Sequence, residues 1–325
     1  MSSTLFLNAS KNSTRELTSL YDFVWPTSAA IWNMQWQVKG FRAQMPQATS
    51  EEMGARFILG SGIRNVNFKQ LEESSWPEMQ GWFAKLLLSE TCALFEGWIA
   101  SALDELQLPA AVRKPRSPNS IDKQLQFPSV FDTTGLATSG LQKALNSIHA
   151  SGKSVLMQAS FETPMMASRK NSRAHVENLL VCYRVFKEAR NSFIHHGGRA
   201  TTTSQTSYTS YATETALSLG LKEKPLIPPI VAGAPIQLSL RGVVGFSDVV
   251  LRLVHTLDAE LALSTYAEAV LAAKWIIKHN GRVSLKVNPA QGLPQLGRYV
   301  HQCELPKPVA LPTLYTHMLA QGLVS

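Results

Sequence analysis

The chain has 325 residues, 45% of them hydrophobic, which predicts that most of it folds around a buried core. Its formal net charge of +8 favours polyanionic partners such as nucleic acid or an anionic membrane surface. The three cysteines, Cys92, Cys182 and Cys303, lie far apart with no CxxC pair, which argues against a disulfide framework and a structural zinc site.

The N-terminal residues lack the basic start and apolar core of a signal peptide. No segment has about 18 uninterrupted apolar residues, so we expect no membrane span. No P-loop and no GxGxxG sequence after a strand occurs, and we expect no cofactor. These features together predict a cytoplasmic protein.

The N-terminal half of the chain carries mostly helical patterns. Residues 14–47 predict one or two helices with Pro26 as the expected break, and Pro77 precedes a strong helical pattern over 78–106. A connector rich in Pro, Ser and Arg follows at 108–128, and then a short helical patch near 138–158.

The C-terminal half begins with a second strong helix over 172–196, which should stop at Gly197-Gly198. Residues 200–215 are predicted to form a polar loop. The alternation over 235–240 predicts a strand of a small hairpin, and Ser247 is expected to begin a helix that runs to Asn280.

The sequence therefore predicts a mostly α fold, a helical bundle with a small β-hairpin accessory. We expect an N-terminal helical extension over 1–77, the main helical domain over 78–281, and a tail over 282–325 with a short strand-like patch at 283–287.

Six residues at the end of the second strong helix, from Arg190 to His195, carry the chemistry. At about 100° per residue, Arg190 falls in the middle of an apolar stripe, with Asn191 and His195 together on its flank. A charged guanidinium on an apolar face needs a carboxylate partner or an anionic ligand. The stripe consists of Val176, Leu179, Tyr183, Phe186, Phe193 and Ile194.

These three side chains match the requirements of RNA cleavage without a metal. The 2′-hydroxyl must lose a proton and the leaving 5′-oxygen must gain one, which His195 can do near neutral pH. Arg190 can stabilise the charge that develops on the phosphate, and the Asn191 amide can orient the imidazole or the phosphate.

The sequence R-N-S-F-I-H at 190–195 resembles the RxxxxH motif of the HEPN family, which often has Asn directly after Arg. The resemblance extends over about 80–280. Before the motif it includes an upstream helix with A-L-F-E at 93–96 and the residues 185–189. After the motif it includes Gly197-Gly198, the strand expected at 235–240 and the helix that follows it. HEPN proteins are helical-bundle domains of RNA-cleaving toxins and antiviral defence systems.

The resemblance implies a homodimer in which two motifs face each other and form one composite site. It also implies RNA cleavage that leaves a 2′,3′-cyclic phosphate, and a regulatory or antitoxin partner. Some members carry a Tyr two residues after the motif His, which an antitoxin modifies. Gly197 stands there in this chain, so we do not expect that mode of control.

Several other residues are candidates for supporting roles. Glu96 is the expected carboxylate partner of Arg190, either to position it or as a purely structural ion pair. Lys187, His196 and Arg199 are weaker candidates for RNA contacts, within a stretch of seven Lys or Arg and two Glu over 168–199. No carboxylate or further His stands at helical spacing from His195-His196, so we expect no metal site.

Two aromatic residues of the expected polar loop, Tyr208 and Tyr211, could stack on unpaired bases, although ordinary loop aromatics explain them as well.

The leading prediction is a metal-independent endoribonuclease that acts as a toxin or antiviral effector. One alternative is a non-catalytic HEPN-like module that binds RNA or nucleotide or serves in dimerisation. Another is a helical interaction domain in which Arg190 forms only a salt bridge.

Overall fold

The computed structural model describes residues 4–325, and within that range the protein is mostly helical with a single two-stranded sheet. The helices before and around the sheet are α1 (Asn8–Gln44), α2 (Ser50–Phe57), α3 (Phe68–Glu73), α4 (Trp76–Glu105), α5 (Ala110–Arg113), α6 (Ile121–Gln124), α7 (Leu141–Ile148), α8 (Val155–Met157) and α9 (Thr163–Met166). The later helices are α10 (Val176–His195), α11 (Thr202–Ala212), α12 (Leu240–Ala262), α13 (Tyr266–His279), α14 (Pro289–Gln302) and α15 (Leu311–Ala320). The mostly α prediction is confirmed.

The four long helices α1, α4, α10 and α12 pack on one another around the main core. Aromatic rings join three of these helices at its centre. The Phe95 ring centroid lies 4.7 Å from that of Tyr183, and the Phe186 and Phe246 rings stack at 4.5 Å. The bundle therefore fixes α10, the helix that carries the motif, along most of its length.

The two strongest helical predictions are confirmed, because α4 and α10 match the expected ranges within a few residues. Ser75 caps α4 in a reciprocal capping box with Glu78. Gly197 and Gly198 end α10 with φ of 58° and 80°, conformations that glycine adopts without steric cost. By length and composition α4 would also suit a membrane span, but 50% of its most apolar window is buried here, which makes that weak support for a span.

The break expected at Pro26 is wrong, because α1 is one helix of 37 residues that continues through this proline. Pro26 and Asp22 are both exposed. Because proline has no backbone N–H, the Asp22 carbonyl receives no hydrogen bond from position 26 of the helix. Water can satisfy that carbonyl on the outer face. On the inner face, Leu17 and Val24 are buried in the main core and hold the helix together.

The C-terminal half of α1 forms a second, smaller core with α2 and α3. Its buried members are Val38, Ala48, Met53 and Phe68. Residues before 77 thus contribute to both cores, and the division of the chain at 77 and 281 stays a prediction.

The segment before α1 is fastened to the bundle by a buried carboxylate. Asp258 of α12 accepts hydrogen bonds from the backbone N–H groups of Phe6 at 2.8 Å and Leu7 at 3.0 Å. Lys274 donates to the Phe6 carbonyl at 2.8 Å and lies 3.1 Å from Glu105. Burial raises the pKa of Asp258 to about 6, although these hydrogen bonds oppose the shift.

The polar loop expected over 200–215 is wrong, because most of it is helix α11. Thr201 caps this helix by accepting from the Ser204 N–H at 3.1 Å. Tyr211 is buried and donates its hydroxyl to the Pro225 carbonyl, while Tyr208 is half-buried against the core. The helix packs on α10, and that contact outweighs its weak intrinsic propensity.

The hairpin exists, but its expected position is wrong. Its strands are β1 (Val130–Phe131) and β2 (Ala137–Ser139), which pair antiparallel. Pro235 forms only an isolated bridge with Arg199, and α12 begins at Leu240 instead of Ser247. Ser239 is the cap that was missed, since its side chain accepts from the Gly242 N–H at 3.0 Å.

The helix expected to run to Asn280 is divided in two, because α12 ends at Ala262 and α13 begins at Tyr266. The expected end is confirmed by the left-handed conformation of Asn280. The tail contains helices α14 and α15 in addition to a β element, which is a single parallel bridge between Val283 and Val324.

Candidate functional site

The motif occupies the last two turns of α10. Arg190 and Asn191 are half-buried and His195 is exposed. The predicted apolar stripe holds over most of the helix, but Ile194 is 51% exposed, so its assignment to the buried face is wrong. Ile194 and His195, the last two residues of α10, are both exposed, so this end of the helix reaches solvent.

Arg190 has no carboxylate partner among the described residues. Its Nη1 donates to the Asn191 Oδ1 at 3.2 Å, which joins two of the three predicted catalytic residues. Its Nε is shielded from solvent and makes no hydrogen bond in residues 4–325. A half-buried guanidinium with one amide as its only partner retains most of its five N–H donors for an anion.

The prediction that Glu96 pairs with Arg190 is wrong. The Glu96 Oε1 lies 2.8 Å from the Lys187 Nζ, one helical turn before Arg190 on α10. Burial raises the pKa of the nearby Cys92 thiol to about 12; Glu96 raises it further, while Arg190 and Lys187 lower it. All three charges therefore surround Cys92, but only Lys187 forms the ion pair.

Lys187 is consequently a structural residue in this arrangement. Besides Glu96 it donates a hydrogen bond to the Gln126 side chain, and its Nζ lies 5.6 Å from the centroid of the Phe127 ring. Its side chain is only 15% exposed. The prediction that Lys187 contacts RNA is not supported by this geometry, because its ammonium is already engaged.

Three of the other six cations of the basic stretch 168–199 are also paired with carboxylates. The ion pairs are Lys170–Asp248, Arg173–Glu162, Arg173–Glu260 and Arg184–Glu188. Three of these four carboxylates lie outside the stretch, so a count of charges along the sequence overestimates its local positive charge. Arg169, Arg190 and Arg199 form no ion pair within residues 4–325.

The remaining predicted residues lie at the exposed end of α10. The ring centroids of His195 and His196 are 6.5 Å apart, and neither imidazole makes a hydrogen bond in the described chain. The Arg199 Nη1 donates to the Gly233 carbonyl at 2.9 Å, which leaves most of its guanidinium accessible. His196 and Arg199 are therefore available for contacts with a ligand.

Lys85 of α4 is a neighbour of the motif that the sequence reasoning missed. Its Nζ lies 4.9 Å above the ring of Phe193, which follows Arg190 by three residues on α10. Lys85 is half-buried and forms no ion pair within residues 4–325. Its spacing from Cys92 and Glu96 places it on the α4 face that meets α10, which was the available signal.

Helix α11 packs against the buried side of the motif. The Ser192 Oγ, buried within the motif, lies 2.9 Å from the Ser204 Oγ in the first turn of α11. The Thr201 cap also contacts the Ser204 Oγ at 3.0 Å. This hydroxyl chain fixes α11 against the inner face of α10 and leaves the face of His195 open.

Within residues 4–325, no group of three or more His, Cys, Asp or Glu side chains is arranged to hold a metal ion. The polar groups at the motif are instead the cations Arg190 and Lys85, the Asn191 amide, and the imidazoles of His195 and His196. This donor set suits an anion such as a phosphodiester.

Comparisons of the chain with protein-family models, with curated proteins and with solved structures found no match. The geometry of the motif and its neighbours is therefore the basis for assigning a function to this chain.

Proposed function

We propose that this protein is a metal-independent endoribonuclease of the HEPN type that acts in the cytoplasm as a toxin or antiviral effector. One observation carries the proposal: the half-buried Arg190 has no carboxylate partner, since Glu96 is bound to Lys187. An uncompensated guanidinium is unfavourable in a partly buried position unless an anion completes it. A phosphodiester is the anion that also fits the overall positive charge of the chain.

In the proposed reaction, the scissile phosphate binds between Arg190 and Lys85. His195 removes the proton from the 2′-hydroxyl or protonates the leaving 5′-oxygen, and the 2′-oxygen attacks the phosphorus. The products are a 2′,3′-cyclic phosphate and a free 5′-hydroxyl. Asn191 holds the guanidinium through its Oδ1 and can donate its amide N–H groups to the phosphate.

One imidazole cannot efficiently perform both proton transfers at once, and His195 makes no hydrogen bond in the described chain that would orient it. A second copy of the motif would supply both a second imidazole and orienting groups. The exposed end of α10, with Ile194 at 51% exposure, offers the surface for such a contact. We therefore propose that the active form is a homodimer with a composite site.

Cleavage of single-stranded RNA by the purified protein in EDTA tests this function. We expect the wild type to cleave, Arg190→Ala and His195→Ala to lose about 10²-fold or more of the rate, and the control His301→Ala, which changes an exposed histidine of α14, to keep most of it. The products should carry 2′,3′-cyclic phosphates. Equal cleavage by all four proteins, or activity that chelation abolishes, would contradict the mechanism.

The second candidate function is a non-catalytic module that binds RNA or nucleotide or serves in dimerisation. The observation that favours it is the unoriented imidazole of His195, because catalytic bases are usually held by a third group. RNA binding that needs Arg190, with no cleavage by the dimer, would select this function. Toxicity on expression that His195→Ala abolishes would instead favour the enzyme.

A further inference from the structure

A cavity of about 380 Å³ lies at the other end of α10 from the motif. It is an open cavity lined by α7, the first turn of α10 and α12, and the rise of an α-helix places it roughly 20–30 Å from His195. Its volume is in the range of small-molecule sites. Four apolar side chains form one part of its wall: Leu141, Leu145, Val176 and Leu257.

The polar part of the wall continues a row of alternating charges. On the wall, the Arg173 Nε lies 2.7 Å from Glu260, and Glu260 lies 3.2 Å from the Lys153 Nζ. The row begins outside the cavity at Glu162, whose carboxylate lies 3.2 Å from the Arg173 Nη1. The row ends on Lys153, which has no second carboxylate among residues 4–325. Its ammonium has three N–H donors, and Glu260 takes one.

His149 lies beside this terminal cation. It follows the last residue of α7, and both ring nitrogens are shielded from solvent without a hydrogen bond in the described chain. Burial lowers its pKa and Lys153, which lines the same cavity, lowers it further, while the carboxylate and the backbone of Glu260 oppose the shift. A neutral imidazole has one N–H donor and one acceptor nitrogen, and a polar ligand in the cavity would supply the partner that this N–H lacks.

The carboxylate on the opposite rim is already engaged. The two oxygens of Glu177 accept from the backbone N–H of Ser129 at 2.7 Å and from its hydroxyl at 2.5 Å. Glu177 is therefore held toward the loop before β1. The uncommitted donors on the wall are two N–H groups of Lys153, one N–H of the His149 imidazole and the Asn146 amide, whose Oδ1 accepts from Gln142 at 2.8 Å. The uncommitted acceptors are fewer: the second His149 nitrogen and the Glu260 Oε1, which makes no hydrogen bond in the described chain although the Arg173 Nε lies 2.7 Å away. This excess of donors fits a ligand that is rich in acceptors.

We propose that this cavity binds a small organic anion, a carboxylate or a phosphate monoester, whose charged group contacts Lys153 and His149. The anionic group completes the alternating row as a second carboxylate would. The apolar body of the ligand packs on Leu145, Val176 and Leu257. This site is separate from the motif, and the inference does not depend on the ribonuclease function.

Three ring compounds of matched shape test this proposal on the full chain: benzoate, phenyl phosphate and the neutral benzamide. Binding is followed by saturation-transfer NMR of the ligand and by the imidazole signals of His149. We expect at least one of the two anions to bind about tenfold or more tightly than benzamide, with a Kd on the order of 1 mM for so small a probe. The stronger of the two anions identifies the class as carboxylate or phosphate.

Two substitutions on the wall and one control complete the test. Lys153→Met and His149→Phe should each abolish the preference for the anion. Lys143→Met, which removes a lysine of α7 that does not line the cavity, should keep it. Circular dichroism checks that each variant is folded. The comparison of the anions with benzamide in the wild type tests the proposal even if a variant does not fold. Three outcomes would overturn the proposal: benzamide binds as tightly as both anions, no probe binds at about 10 mM, or the preference for the anion survives Lys153→Met.

Discussion

The Glu96 carboxylate lies 2.8 Å from the Lys187 ammonium, and this ion pair between α4 and α10 leaves Arg190 without a carboxylate. Both cations lie on the same helix, one turn apart, and face the same region of α4. Two basic side chains on successive turns of α10, Lys187 and Arg190, therefore lie near Glu96, and Glu96 forms its ion pair with Lys187. The functional proposal for Arg190 follows from this choice of partner.

Arg190 should be dispensable for stability but required for RNA cleavage. We expect Arg190→Gln to change the free energy of unfolding by less than about 1 kcal/mol. The substitution breaks no ion pair, and it removes the Nε, which is buried without a hydrogen bond among the described residues. The rate of cleavage should fall by about 10²- to 10³-fold. Urea denaturation and an RNA cleavage assay measure the two effects.

Arg184, on the same helix, is the matched control for Arg190. It lies 3.0 Å from Glu188 and 4.4 Å from the centroid of the Phe127 ring, so Arg184→Gln should lower the free energy of unfolding by about 1 kcal/mol and leave cleavage unchanged. If both variants lose stability and keep activity, Arg190 is a structural residue.

Glu96 and Lys187 should show energetic coupling in a double-mutant cycle. Their side chains are 30% and 15% exposed, so screening by solvent limits the coupling to about 1 kcal/mol. The cycle uses Glu96→Gln, Lys187→Met and the double variant, each measured by urea denaturation. Coupling of Glu96 with Arg190→Gln should be close to zero, and a larger value there than with Lys187 would contradict the pairing.

Asp258 should make the protein less stable as the pH rises from about 4 to about 6. Its carboxyl has a pKa of about 6 when folded and about 3.9 when unfolded. Below pH 4 the carboxyl is protonated in both states. Between these values only the folded state retains the proton, so the stabilising contribution is lost as the pH rises. Relative to Asp258→Asn, the free energy of unfolding should fall by about 3 kcal/mol across this window.

Asp248 provides a control of opposite sign on the same helix. Burial alone would raise its pKa, but hydrogen bonds from Lys170 and Arg252 hold the pKa below its usual value. The wild type should therefore lose stability relative to Asp248→Asn only as the pH falls below about 4. Urea denaturation at intervals from pH 3 to pH 7 distinguishes the two profiles, and parallel profiles would refute the assignment for Asp258.

Gly242 should tolerate no side chain, although it lies within a helix. A Cβ built at this position would lie 1.9 Å from the Leu226 carbonyl oxygen, so Gly242→Ala must displace the backbone of the segment before α12. We expect a loss of about 3 kcal/mol in the free energy of unfolding. Gly97 of α4 has no neighbour within 4 Å of its Cβ position, and Gly97→Ala should gain up to about 1 kcal/mol. Thermal denaturation of both variants measures the contrast, and equal effects would refute the close approach at Gly242.

Part of the fold could be predicted because local signals agreed with one another. In α4 the capping box of Ser75 and Glu78 and the apolar periodicity define one helix, and in α10 the periodicity and Gly197 do the same. In α11 the signals conflicted, because a run of Ser and Thr suggested a loop while the packing of Tyr211 required a helix. The packing of α11 on α10, with Tyr211 buried, outweighs the low helix propensity of its Ser and Thr residues.

The residue types from Arg190 to His195 and their position at the end of a helix could be predicted because composition, periodicity and the stop signal are local properties. Which carboxylate meets which cation depends on the tertiary packing. Glu96 and Lys187 are far apart along the chain, and so is Glu260 from its partners Arg173 and Lys153. Coulomb energy depends on distances in space, and the packing of α4, α10 and α12 sets those distances.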